Sequence, residues 1–126
     1  MIDSKLTLDI LDLILDDETE DKSLREQIDF LTEIEIEHTG IGMFIYFENV
    51  FKNEESNIYG NSVLVGVELT NEEQNVLADV MLHVENGLIK TIEIFNKNGE
   101  DYPEEKLENY ILRQIWIGSK NRIISK

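Results

Sequence analysis

The side chains of this chain whose types and spacing could do chemistry are carboxylates and two histidines. Asp79 and His83 share one side of a strand-like run over residues 76–85, and Glu93 lies on the next run, over 88–95. An imidazole beside carboxylates can do general acid–base work when the groups come within hydrogen-bond reach. A small enzyme or ligand-binding domain, with a pocket on the sheet face carrying Asp79, His83 and Glu93, is therefore one expectation. The second histidine opens His38-Thr39-Gly40-Ile41-Gly42. That turn lacks the third glycine and the following helix of a dinucleotide fingerprint. Glu33, Glu35 and Glu37 alternate with Ile34 and Ile36. On a regular strand they line one face about 7 Å apart. Carboxylates in a straight line diverge rather than converge on an ion, so no metal site is expected. There is no cysteine, no Gly-x-Ser-x-Gly, no phosphate-binding loop and no His-Glu-x-x-His. No catalytic residue and no cofactor follows from these patterns.

What remains is charge. Lys+Arg number 11 against 27 Asp+Glu, a formal net charge of −16. The distribution is uneven: residues 1–55 hold 16 acids and 4 bases, a net of −12, whereas residues 111–126 hold four bases and no acid. Nucleic acid is excluded as a partner, because its affinity comes from neutralised phosphates. An anionic membrane surface would also repel the chain. A basic protein would be attracted and steered toward it.

The elements that must position these groups follow from periodicity. Asp3 or Ser4 caps a first helix ending near residue 16 or 17, with Leu6, Ile10, Leu13 and Ile14 as its apolar stripe. Asp9, Asp12 and Asp16 form an acidic ridge on it, continued by Asp17, Glu18, Glu20 and Asp21 in a loop. Ser23-Leu24-Arg25-Glu26 has the form of a capping box and starts a second, short helix to about residue 31. Strands are expected over 32–37, 43–51 and 62–69, the last with Val63, Val65, Val67 and Leu69 on one face. The strongest local signal is a hairpin over 76–95, with Asn86-Gly87 between two strand-forming runs. The hydrophobic pattern favours a three-residue loop pairing Val84 with Leu88. Ala78, Val80, Leu82 and Val84 then share a face with Leu88, Ile92 and Ile94, and Asp79 lies opposite Glu93. A two-residue loop would pair Glu85 with Leu88 instead.

Pro103-Glu104-Glu105 is a helix-start signature, with Leu107, Tyr110 and Ile111 as the apolar face. Residues 118–126 read as a basic tail that can fray. The expected fold is thus one α+β domain spanning 1–126. It has two N-terminal helices, a five-stranded antiparallel meander with the hairpin at its centre, and a C-terminal helix. The amino terminus has no basic region before its apolar run, and no apolar run reaches membrane-spanning length, so a cytoplasmic location is expected. Sheet order and oligomeric state stay open.

The turn His38-Thr39-Gly40-Ile41-Gly42-Met43-Phe44 resembles sequences of the small immunity proteins of bacterial polymorphic toxin systems. So does the hairpin Glu85-Asn86-Gly87-Leu88-Ile89 leading to Ile92-Glu93-Ile94-Phe95. The resemblance implies a compact acidic α+β protein that binds and blocks a cognate toxin, frequently a basic nuclease. That family set has no shared catalytic motif, so it assigns no site residue here. On this expectation the partner-binding residues are Asp9, Asp12, Asp16, Asp17, Glu18, Glu20, Asp21, Glu33, Glu35 and Glu37. Tyr59 and Tyr102, both beside loop residues, would serve as aromatic anchors.

Overall fold

The computed structural model describes residues 1–16, 22–52 and 60–126, with Lys22 by its backbone alone. Helix α1 (Lys5–Ile14) begins at Ser4, whose Oγ accepts a hydrogen bond from the Thr7 amide at 3.2 Å. Ser4 thereby satisfies one of the donors that a helix start leaves open. Leu6, Ile10, Leu11, Leu13, Ile14 and Leu15 are buried, and α1 packs over strands of the sheet described next. Each of these side chains contributes about 1.5–3 kcal/mol by leaving water.

The rest of the described residues form mostly one antiparallel sheet of seven strands. They are β1 (Leu31–His38), β2 (Gly42–Asn49), β3 (Ser62–Asn71), β4 (Val76–Glu85), β5 (Leu88–Asn96), β6 (Ile111–Gln114) and β7 (Ile123–Ser125). Their spatial order is β1-β2-β5-β4-β3-β6-β7. The chain leaves β2, crosses beyond the β4–β5 hairpin, and returns through β3, β4 and β5 to lie beside β2. Strands β2 to β5 thus have Greek-key order rather than a meander.

Two further expectations are corrected. The second helix shrinks to a single turn, α2 (Lys22–Arg25), followed by a 3₁₀ turn at Ile28–Phe30. The C-terminal helix is absent. Residues 111–114 bury Leu112 and Gln114 and expose Ile111 and Arg113, a period of two, and pair with β3 as β6. The helix-start signature at Pro103 is local. The open backbone edge of β3 is a tertiary demand, and pairing with it satisfies backbone groups that a helix would leave unmatched there. No helix among the described residues is long and apolar enough to cross a membrane.

Three β-bulges set which side chain faces where, because each extra residue reverses the alternation beyond it. On β1 the extra residue is Ile34, between Glu33–Phe47 and Glu35–Tyr46. On β3, Val65 and Gly66 together oppose Met81. Val67 and Leu69 are buried there, whereas Val63 and Val65 are 49% and 62% exposed, so the four do not share a face. On β5 the extra residue is Lys90. The hairpin therefore has the two-residue Asn86-Gly87 turn, with Glu85 paired to Leu88 and Val84 to Ile89. The bulge then restores the hydrophobic match, pairing Leu82 with Ile92 and Val80 with Ile94. Asp79 sits opposite Phe95, not Glu93, so the like-charge pair never forms.

Candidate functional site

One face of the sheet is covered by α1 and by residues of the 97–110 segment, among them the buried Tyr102, Leu107 and Tyr110. No described element packs on the other face. Its rows can be read from the pairing. Glu37, Phe44, Glu93 and Met81 lie side by side across β1, β2, β5 and β4. The next row is Glu35, Tyr46, Thr91, His83 and Val63, continuing onto β3. A third runs Phe95, Asp79, Glu68 and Arg113, from β5 to β6.

The aromatic groups on this face are held in place. Phe44 and Tyr46 stack with ring centroids 6.0 Å apart. Tyr46 donates its hydroxyl proton to Glu37 Oε1 at 3.1 Å. Desolvation, with that bond and the nearby Glu37, Glu35 and Glu93 charges, raises the phenol above its ordinary pKa, so it stays a donor. Phe95 is 38% exposed. His83 Nε2 lies 2.9 Å from Glu93 Oε1. Asp79 is not part of that contact: Lys97 Nζ bridges Asp79 at 2.9 Å and Glu68 at 3.0 Å. Those two carboxylates raise the Lys97 pKa. The surface here is open, and Asp79, His83 and Glu93 line neither the concavity beside β3 and β6 nor the one beside the start of α1.

The acidic ridge of α1 has a different fate. Asp12 receives both guanidinium nitrogens of Arg122, at 3.0 and 3.2 Å. Asp16 lies 3.2 Å from Arg122 Nη1 and 3.4 Å from Lys120 Nζ, and Gln114 Nε2 donates to it at 2.9 Å. Arg25 closes the C-terminal end of α1, donating to the carbonyls of Leu15 and Asp12 at 3.0 Å each. Asp9 pairs with Lys5 at 2.7 Å and accepts the Tyr110 hydroxyl at 2.7 Å. Much of the ridge's charge is thus matched inside the molecule, largely by Lys120 and Arg122, which precede β7. Tyr110 is buried, and burial first, then Asp9, pushes its pKa up.

Burial raises the Asp16 pKa, but the hydrogen bonds from Gln114, Arg122 and Lys120 and the Arg122 charge outweigh it. The carboxyl is held below its ordinary 3.8. A lowered folded-state pKa contributes stability that is complete above the unfolded value and lost as pH falls through the folded one. Asp16→Asn should therefore cost about 1–3 kcal/mol at neutral pH. That deficit should shrink as pH falls below 3.8, which urea titrations of both proteins at a series of pH values will read.

Of the other expected contact residues, Glu35 and Glu37 stand exposed on the open face. Glu33 does not join them, because the Ile34 bulge turns it to the covered side opposite Phe47. Tyr102 is 4% exposed rather than a surface anchor. Its amide donates to the Gly40 carbonyl at 2.8 Å, which fixes the segment against the β1–β2 turn, and burial raises its phenol pKa. Asp17, Glu18, Glu20, Asp21 and Tyr59 lie outside the described residues. Sequence reasoning missed Phe44 and Phe95 as surface groups. The signal was the doubly apolar β2, which reads as a central strand although one of its faces is open. Compared with family models, with curated proteins and with solved structures, the chain finds no match in any of the three.

Proposed function

We propose that this chain is a protein-binding module that docks a basic protein on its uncovered sheet face, in the manner of an immunity-type inhibitor. The observation that supports it is the make-up of that face. Phe44, Tyr46, Met81 and Phe95 are interleaved with Glu35, Glu37 and Glu93, on rigid strands with no described element above them. Apolar and aromatic anchors inside a charged rim are the composition of a binding hot spot. The carboxylates steer a basic partner and set its orientation, while the aromatics hold it. Because the α1 ridge is paired internally, the docking surface moves from that helix to the sheet.

The test is capture from source-cell lysate on the immobilised chain, followed by purification of the partner and kinetics with variants. Phe44→Ala with Tyr46→Ala should weaken the complex about 100-fold, mostly through faster dissociation. Glu35→Gln with Glu37→Gln should slow association and flatten its salt dependence. Unchanged kinetics in both would remove this face from the interface.

A further inference from the structure

We infer that the chain has a second site: a cavity on the covered side of the sheet that takes a small organic ammonium ion with an apolar body. The cavity holds about 310 Å³ and lies between the start of α1, β1, β2 and residues 102–107. That is the lower end of the range of about 300–1,000 Å³ typical of small-molecule sites. Its apolar lining includes Leu6, Ile36, Met43, Ile45 and Leu107.

Two oxygens mark it as more than a packing defect. Thr7 is 1% exposed, lines the cavity, and its Oγ1 has no hydrogen-bond partner among the described residues. Glu33 also lines the cavity, and its Oε1 is shielded from solvent and likewise has no hydrogen-bond partner among the described residues. A buried polar atom left without a partner costs about 1–3 kcal/mol, and more when charged. Both atoms belong to side chains that line one cavity, so a ligand supplying donors there would remove that cost once the two side chains turn toward it. The sequence routes Glu33 there through a specific device, the Ile34 bulge, which separates it from Glu35 and Glu37.

The chemistry of the ligand follows from the acceptors. The charged lining consists of Asp3, Glu33, Glu104 and Glu105 against Lys106, with His38 beside them, so it stays acidic in balance and selects a cation with N–H donors over an anion. The aliphatic lining selects a compact apolar body on that cation. This inference concerns the covered side of the sheet and is independent of the docking face.

The probe is 2-phenylethylamine, titrated into the full ¹⁵N-labelled chain, with 2-phenylethanol and phenylacetate as neutral and anionic counterparts. The amine should give saturable shifts centred on Thr7, Glu33 and Tyr102, and bind about tenfold or more tighter than either counterpart. Glu33→Gln should weaken it by about the same factor, while Phe44→Ala on the opposite face leaves it unchanged. Thr7→Val should lower affinity yet raise the unfolding midpoint of the unliganded protein by about 3 °C, because it removes an orphaned hydroxyl without changing shape. A lysine side chain presented as Nα-acetyl-lysine amide should bind more weakly, since burying its peptide groups against the aliphatic lining costs more than burying a phenyl ring. No saturable binding, equal binding of phenylacetate, or equal or tighter binding of the lysine derivative would overturn the assignment. Should Glu33→Gln fail to fold, the comparison of the three phenyl compounds on the unmodified chain still decides it.

Discussion

Replacing Gly42 with alanine should destabilise the protein by about 3 kcal/mol or more, among the larger effects of adding one methyl group. Gly42 opens β2 and sits opposite Phe95. A Cβ there would run into the Ile94 carbonyl oxygen, and lie 3.2 Å from its carbonyl carbon and 3.3 Å from the Phe95 Cα. All three are backbone atoms of β5, so no rotamer change relieves the clash. β2 would have to lift away from β5 where Met43 pairs with Ile94, next to the core. Gly40 supplies the control. It has φ +88° but no atom within 4 Å of an added Cβ, so Gly40→Ala meets backbone strain alone, about 1 kcal/mol. Urea unfolding of the two variants should separate them clearly, and a Gly42→Ala midpoint equal to that of Gly40→Ala would refute the close-approach argument.

Gln27→Leu should be comparably costly although leucine is similar in size. Gln27 is 1% exposed and works as a substitute for missing sheet pairing. Its Nε2 donates to the Gly87 carbonyl at 2.7 Å, and its Oε1 accepts from the Ile89 amide at 2.9 Å and from Asn49 Nδ2 at 2.8 Å. Leucine would leave the Gly87 carbonyl and the Ile89 amide without that partner. At about 1–3 kcal/mol for each such group, a loss of about 3 kcal/mol is expected. The damage should be local first: the Ile89 amide should exchange its hydrogen much faster while amides of β3 keep their relative protection. Uniform loss of protection across the sheet would mean that Gln27 contributes only generic packing.

Much of the hairpin could be read from the sequence because its information is local. Asn86 and Gly87 both have positive φ, at 53° and 76°, as a two-residue turn of this kind requires, and the flanking runs alternate. The core face of β4, with Ile92 and Ile94 of β5, was legible, but the register was not, and Ile89 rather than Leu88 takes the core position opposite Val84. Lys90 as an extra residue satisfies both the short turn and the hydrophobic pattern, which an unbroken ladder cannot do together. The same parity change misplaced Glu33 and Val65, since nothing in a period-two pattern marks where an extra residue sits. Gly66 carries such a mark only in hindsight: its φ of +107° and the Trp116 ring packed against it need a residue without Cβ.

The C-terminal segment was misread because Pro103-Glu104-Glu105 is a strong local signal, whereas the vacancy beside β3 depends on the whole sheet. The acidic ridge at Asp9, Asp12 and Asp16 was visible as a ridge. Its pairing with Arg122, 110 residues from Asp12, depends on the fold bringing the residues before β7 alongside α1. The orphaned oxygens of Thr7 and Glu33 have no sequence signature, because being unpartnered is a property of the surroundings.

The most direct measurement on the docking face is chemical-shift mapping of the labelled chain with the basic partner recovered by capture. The largest changes should fall on Phe44, Tyr46, Met81, Glu93 and Phe95, with Asp12, Asp16 and Arg122 unmoved. Changes centred on α1 and β7, with the open sheet face silent, would contradict the account.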